Sequence, residues 1–181
     1  MKFLDTIKNY IASFILKNKL KNHYREKAFH NFESAKTVGL ICNAQDQKIY
    51  HHAKQLSEFL YAKNIKVYAI GFIEGDAVLD AFSYQKGFNF ISNKDLNWLK
   101  IPQGEIVENF INNKFDILIN LILEENFQVD YIVGLSQAKF KIGYIPTDGK
   151  WYDLTINISD NPKLEFFIEQ VKHYLTTIKS K

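Results

Sequence analysis

The spacing of hydrophobic positions along the chain changes near residue 36. Before that point Phe3, Leu4, Ile7, Tyr10, Ile11 and Phe14 recur every three to four residues, which places them on one face of an α-helix. Lys17 and Lys21 continue the same row, so the apolar stripe gives way near Leu16 to a basic stretch holding Lys17, Lys19, Lys21 and Arg25. No Gly or Pro interrupts residues 1–38, and the pattern predicts a helix running to about Phe29.

From Lys36 onward, strand-like and helix-like spacings alternate. The run KTVGLIC, a helical row of Ile49, Ala53, Leu56, Phe59 and Leu60 between Gln45 and Lys63, and the run IKVYAIGFI at 65–73 predict two strands joined by a parallel crossover. FNFI at 88–91 predicts a short strand, and SNKDLNWL a turn of helix capped by Ser92 or Asn93. EIVENFINN predicts a helix. FDILINLIL is the most hydrophobic run and therefore a central strand. Glu124 and Glu125 follow it, with Asn126 as the cap of a helix whose face carries Phe127, Tyr131, Ile132 and Leu135. AKFKIGYI and YDLTINIS predict two further strands, and NPKLEFFIEQVKHYLTTIK a closing helix with Asn161 as N-cap and Pro162 at its first position. The expected architecture is α/β, a Rossmann-like, mostly parallel sheet of about six strands with helices on both faces, preceded by a long N-terminal amphipathic helix. The chain divides into a basic helical arm over residues 1–33 and a single Rossmann-like α/β domain over residues 34–181.

Charge sharpens that division. Residues 1–30 hold seven basic side chains against Asp5 and Glu26, a balance of +5, so the rest of the chain carries −2 within a net charge of +3. An anionic partner would meet the arm before the body. The lone cysteine, Cys42, excludes an internal disulfide and multi-cysteine metal sites, and fits a reducing compartment. The apolar run Phe14-Ile15-Leu16 is too short for a signal sequence, and no run reaches the roughly 20 residues that span a bilayer. A cytoplasmic location is expected, with membrane-peripheral attachment open to the arm. Fifteen Phe and ten Tyr supply ample core for one domain.

FDILINLILEENFQVDYIVGLSQAKFKIGY, with FNFISNKDLNWL and NPKLEFFIEQVKHYL, resembles a family of short, uncharacterised bacterial single-domain proteins, a domain of unknown function. The resemblance implies a self-contained α/β domain and assigns no catalytic residue. A shorter likeness involves Asp116, Leu135, Ser136, Ala138, Lys139, Ile142, Gly143 and Tyr144. Their order is similar to the end of the N-terminal Rossmann-like domain of heptosyltransferase-type glycosyltransferases. Those enzymes carry a Gly-Asp turn after the first strand where this chain has Cys42-Asn43-Ala44-Gln45-Asp46, and they use a second Rossmann domain for which the chain has no room. The departures argue against glycosyl transfer.

Candidate chemistry is sparse. In an open α/β sheet a ligand lies beyond the carboxyl ends of the strands where strand order reverses, which points to Asn43, Asp46, Asn120 and Glu124 as ligand-binding candidates. The same residue types also cap helices. Neither GxGxxG nor GxxxxGK[ST] occurs, so no nucleotide cofactor is indicated. Lys48, six positions after Cys42, does not make a cysteine-phosphatase loop, because NAQDQ offers neither Arg nor small residues. His23, His30, His51, His52 and His173 show no metal spacing. The catalytic, metal and cofactor assignments are therefore none.

Three readings suit the arm, with Phe3, Ile7, Ile11, Phe14, Lys17, Lys19, Lys21 and Arg25 as contact residues. Docking to protein, its own body or a partner's helix, ranks slightly ahead of an anionic membrane surface, and RNA is third for want of a recognisable module. The functional expectation is a non-enzymatic protein attached through this helix. The alternative is a small-molecule binder or enzyme using the strand-end pocket.

Overall fold

The computed structural model describes residues 2–73, 86–145 and 150–178. Its elements are α1 (Lys2–Lys21), β1 (Thr37–Asn43), α2 (Gln47–Ala62), β2 (Lys66–Phe72), β3 (Phe88–Ile91), α3 (Glu105–Asn112), β4 (Ile117–Asn120), α4 (Phe127–Leu135), β5 (Phe140–Ile145), β6 (Leu154–Asn157) and α5 (Leu164–Thr177). The strands form one sheet in the order β3-β2-β1-β4-β5-β6, and every neighbouring pair is parallel. The α/β architecture expected from the periodicity, a mostly parallel sheet of about six strands, is thus the architecture of the described residues, with six strands and every pair parallel.

Strand alternation sorts side chains to two cores. Val38, Leu40 and Cys42 of β1 join Ile117 and Ile119 of β4 against Ala53, Leu56 and Leu60 of α2 and Phe167 and Val171 of α5. Ile41 and Leu118 turn the other way, onto Val107 and Phe110 of α3 and Val129, Ile132 and Val133 of α4. Each of the Val, Leu, Ile and Phe side chains among them, fully withdrawn from water, contributes about 2 kcal/mol. Gly39 faces the α3–α4 side beneath Phe115, whose Cδ2 would lie 2.7 Å from a Cβ there, so the missing side chain makes room for the ring.

Three boundaries differ from the sequence expectation. α1 ends at Lys21, not near Phe29, because the following residues serve the body. Ala28 donates its N–H to the Lys139 carbonyl at 3.2 Å and Phe32 to that of Leu175 at 3.1 Å, bonds that a continuing helix would forfeit. α2 starts at Gln47 because Asp46 accepts the N–H groups of Lys48 and Ile49 and is its N-cap. α5 starts at Leu164 with Lys163 as N-cap and no side-chain cap bond, while Asn161 and Pro162 belong to the preceding turn. The caps expected at Ser92 and Asn126 are in place, Ser92 within a capping box completed by Asp95.

Candidate functional site

α1 carries two apolar rows. One docks on the body, where Ala12 and Leu16 are buried and Ile11, Ile15 and Leu20 partly so, against Leu99, Ile101, Tyr131, Leu135 and Trp151. The other row faces solvent, with Leu4 62%, Ile7 40%, Tyr10 75% and Phe14 57% exposed. The spacing of three to four residues aligns these four on one side of the helix, and Lys17 and Lys21, both exposed, extend the row by two turns. Lys19 stands apart from that row, its Nζ 5.5 Å from the centre of the Tyr131 ring. Ile11 belongs to the docked side, and the side chain of Phe3 lies outside the described residues. Arg25 is held in the body. Its guanidinium donates to the carbonyls of Ala138 and Lys139 at 3.1 and 2.9 Å and to both carboxylate oxygens of Asp153 at 2.6 Å.

The carboxyl ends of the strands border a cleft of about 530 Å³. Strand order reverses between β1 and β4, the place where open parallel sheets hold ligands. Asn43 and Glu124 line the cleft together with Asn97, Lys100, Asn126 and Gln128. Of the other sequence candidates, Asp46 caps α2, and Asn120 is buried behind the cleft as a clamp. The Asn120 side chain accepts the Ile122 N–H at 3.0 Å and donates to the Ile122 carbonyl at 3.2 Å and to Tyr152 Oη at 2.8 Å. Asn43 Oδ1 accepts the Gln45 N–H at 2.9 Å, and Asn126 Oδ1 that of Val129 at 3.1 Å. The lining offers amides, one lysine and one carboxylate, which is chemistry for hydrogen-bonding a polar molecule.

The rim residues at 97–101 escaped the sequence reading. Asn97 Oδ1 accepts the N–H groups of Leu99 and Ile101, and the chain turns through Lys100 at φ 59°, a conformation costly to a residue with a Cβ. Gln128 Nε2 fixes the Lys100 carbonyl at 3.2 Å. An Asn-x-x-Lys turn has no distinctive sequence signal, since the strain is set by its surroundings.

Nucleophilic and metal chemistry find little footing among the described residues. Burial pushes the Cys42 thiol up to about 12, which suppresses the thiolate. No group of three His, Cys, Asp or Glu side chains could hold a metal ion among the described residues, and no described helix is long and apolar enough to cross a membrane.

Fold and site together define a doubly wound parallel α/β protein with a surface-docked N-terminal helix. The chain belongs to the family of unknown function DUF6913, whose model matches residues 8–178 and so includes most of α1 with the sheet. No curated protein and no solved structure matches it.

Proposed function

We propose that the protein is a non-enzymatic Rossmann-like protein attached to an anionic membrane surface through α1. The observation that carries this reading is the outward row Leu4, Ile7, Tyr10 and Phe14, continued by Lys17 and Lys21, on a helix whose opposite side is already docked. A helix so fixed lies flat and presents an apolar band with cations at one end, the arrangement that binds at the headgroup boundary. Burying a side chain of this kind contributes about 2 kcal/mol, and each lysine near an anionic leaflet about 1 kcal/mol. Four apolar side chains are few for a stable protein interface, which takes roughly 800 Å² from each partner. They suffice for shallow insertion.

Flotation of the full chain with phosphatidylcholine vesicles, with and without phosphatidylglycerol, tests the proposal. The expected result is recovery with the anionic vesicles alone and at least tenfold weaker binding for Phe14→Glu. No recovery with anionic vesicles, or a Phe14→Glu chain that floats as the parent does, overturns it and leaves a protein partner as the occupant of the row.

A second reading, a small-molecule binder or enzyme using the strand-end cleft, is favoured by one observation: Lys100 is held in its costly conformation at the rim of a cleft at the strand-order reversal. A thermal-shift screen of polar metabolites reads it out, because a ligand at 100 times its dissociation constant adds about 2.7 kcal/mol. Shifts that persist in Asn97→Ala and Glu124→Ala count against the cleft.

A further inference from the structure

We infer that a second cleft, between the segment following α1 and the C-terminal end of α4, is a binding site for a small anion of the phosphate class. This inference is independent of the attachment reading. The cleft has a volume of about 520 Å³ and is lined by His23, Arg25, Lys27, Lys141, Lys150 and Trp151. Four of those six side chains are cationic residue types. The carboxylate beside them, Asp153, is already shared: Arg25 takes both oxygens at 2.6 Å, Lys27 Nζ stands at 3.3 Å, and the Lys141 backbone N–H donates at 2.9 Å. The balance of charge around the cleft is positive; Lys27 and Lys150 stand in water at its mouth and Lys141 is buried at its base.

Lys141 is the residue that the core alone does not account for. It sits on β5 between Phe140 and Ile142, at a position that alternation turns toward α4, and it is 2% exposed. Its Nζ donates to the Val133 carbonyl at 2.5 Å and the Gly134 carbonyl at 3.3 Å. Both carbonyls belong to the last turn of α4, where the helix supplies no partner and its dipole is negative. These contacts offset part of the cost of a buried ammonium, yet they occupy two of its three donors, and no described carboxylate lies within ion-pair distance of it. His23 adds a ring nitrogen, Nε2, that is shielded from water and makes no hydrogen bond of good geometry, although the ring also stands within reach of the Ser136 backbone. A phosphate oxygen is the acceptor that such a set lacks, because charge-assisted bonds from an ammonium and an imidazole suit it. Trp151, packed over Gly134, supplies an apolar wall for whatever group the phosphate carries.

The probe is inorganic phosphate, titrated into the full chain against sodium chloride at equal ionic strength. The readouts are the melting temperature and the indole N–H resonances of Trp98 and Trp151. A saturable rise in melting temperature with phosphate alone is expected, with movement of the Trp151 resonance and not that of the exposed Trp98, and an apparent affinity at least tenfold weaker in Lys141→Met. His23→Leu gives a second variant with the same expected direction should Lys141→Met fold poorly. Vesicles carrying phosphatidic acid or phosphatidylglycerol separate the sources. A preference for phosphatidic acid that vanishes in the variants identifies a lipid headgroup, and equal binding of the two, with the free-phosphate effect retained, identifies a soluble ligand. Equal shifts with phosphate and chloride, or unchanged phosphate affinity in both variants, overturn the inference.

Discussion

Replacing Lys141 with Met should flatten the alkaline side of the protein's stability curve. Burial, with the Arg25 guanidinium nearby, draws the Lys141 ammonium from its ordinary 10.5 down to about 7. Between those values the folded chain has released a proton that the unfolded chain still holds. The unfolded state therefore binds more protons, and the free energy of unfolding rises with pH. A lysine shifted in this direction costs stability at and below pH 7, and that cost is relieved as pH climbs toward 10.5. The slope approaches about 1.4 kcal/mol per pH unit, so between pH 7 and pH 9 the parent should gain roughly 2 to 3 kcal/mol relative to the variant. Urea unfolding followed by far-ultraviolet circular dichroism, at half-unit steps in phosphate-free chloride buffer, measures both curves. Taking their difference cancels the exposed lysines and tyrosines. Parallel curves across this window would refute the reasoning, since they would mean that Lys141 keeps its charge in the fold.

Three further outcomes follow from the packing. Burial works against ionisation of Asp116, but the Lys36 N–H at 2.8 Å, the Lys139 ammonium at 3.0 Å and the Thr37 N–H at 3.1 Å together hold its carboxyl below the ordinary 3.8. Its contribution is present above pH 3.8 and is lost as pH falls through the lowered value. Asp116→Asn should therefore cost about 1 to 3 kcal/mol at neutral pH by urea unfolding and blunt the acid limb. Cys42, buried with its thiol raised to about 12, should resist maleimide in the folded chain and react fully in urea. Gly143→Ala should destabilise by more than about 1 kcal/mol in the same assay, because its Cβ would fall on the Tyr152 ring and disturb the bond from Asn120.

The sheet was legible because its central strands are apolar on both faces: TVGLIC and ILI admit little besides buried parallel strands, and Asn126 and Ser92 announce their helices locally. The rule for open sheets likewise put Asn43 and Glu124 at the cleft. What escaped depends on partners distant in sequence. A helix with two apolar rows does not declare which one docks, and the choice of Ala12, Ile15, Leu16 and Leu20 was made by Leu99, Tyr131 and Leu135. The end of α1 at Lys21 was set by Asp153 and Lys139, which capture Arg25. Asn120 reads as a strand-end ligand group until Tyr152, 32 residues on, takes its amide. In FKIGY, Lys141 alternates with Phe140 and Ile142 as a solvent-facing residue would; α4 covers that face instead.

Attachment through the outward row of α1 is tested most directly by a nitroxide at position 10. Tyr10→Cys provides an accessible thiol while Cys42 stays buried, and Glu58→Cys on the exposed side of α2 provides the reference. On addition of phosphatidylglycerol vesicles, the label at position 10 should collide more often with oxygen and less often with a water-soluble nickel chelate, and the label at position 58 should do neither. Identical collision rates at position 10 with and without vesicles would contradict the account.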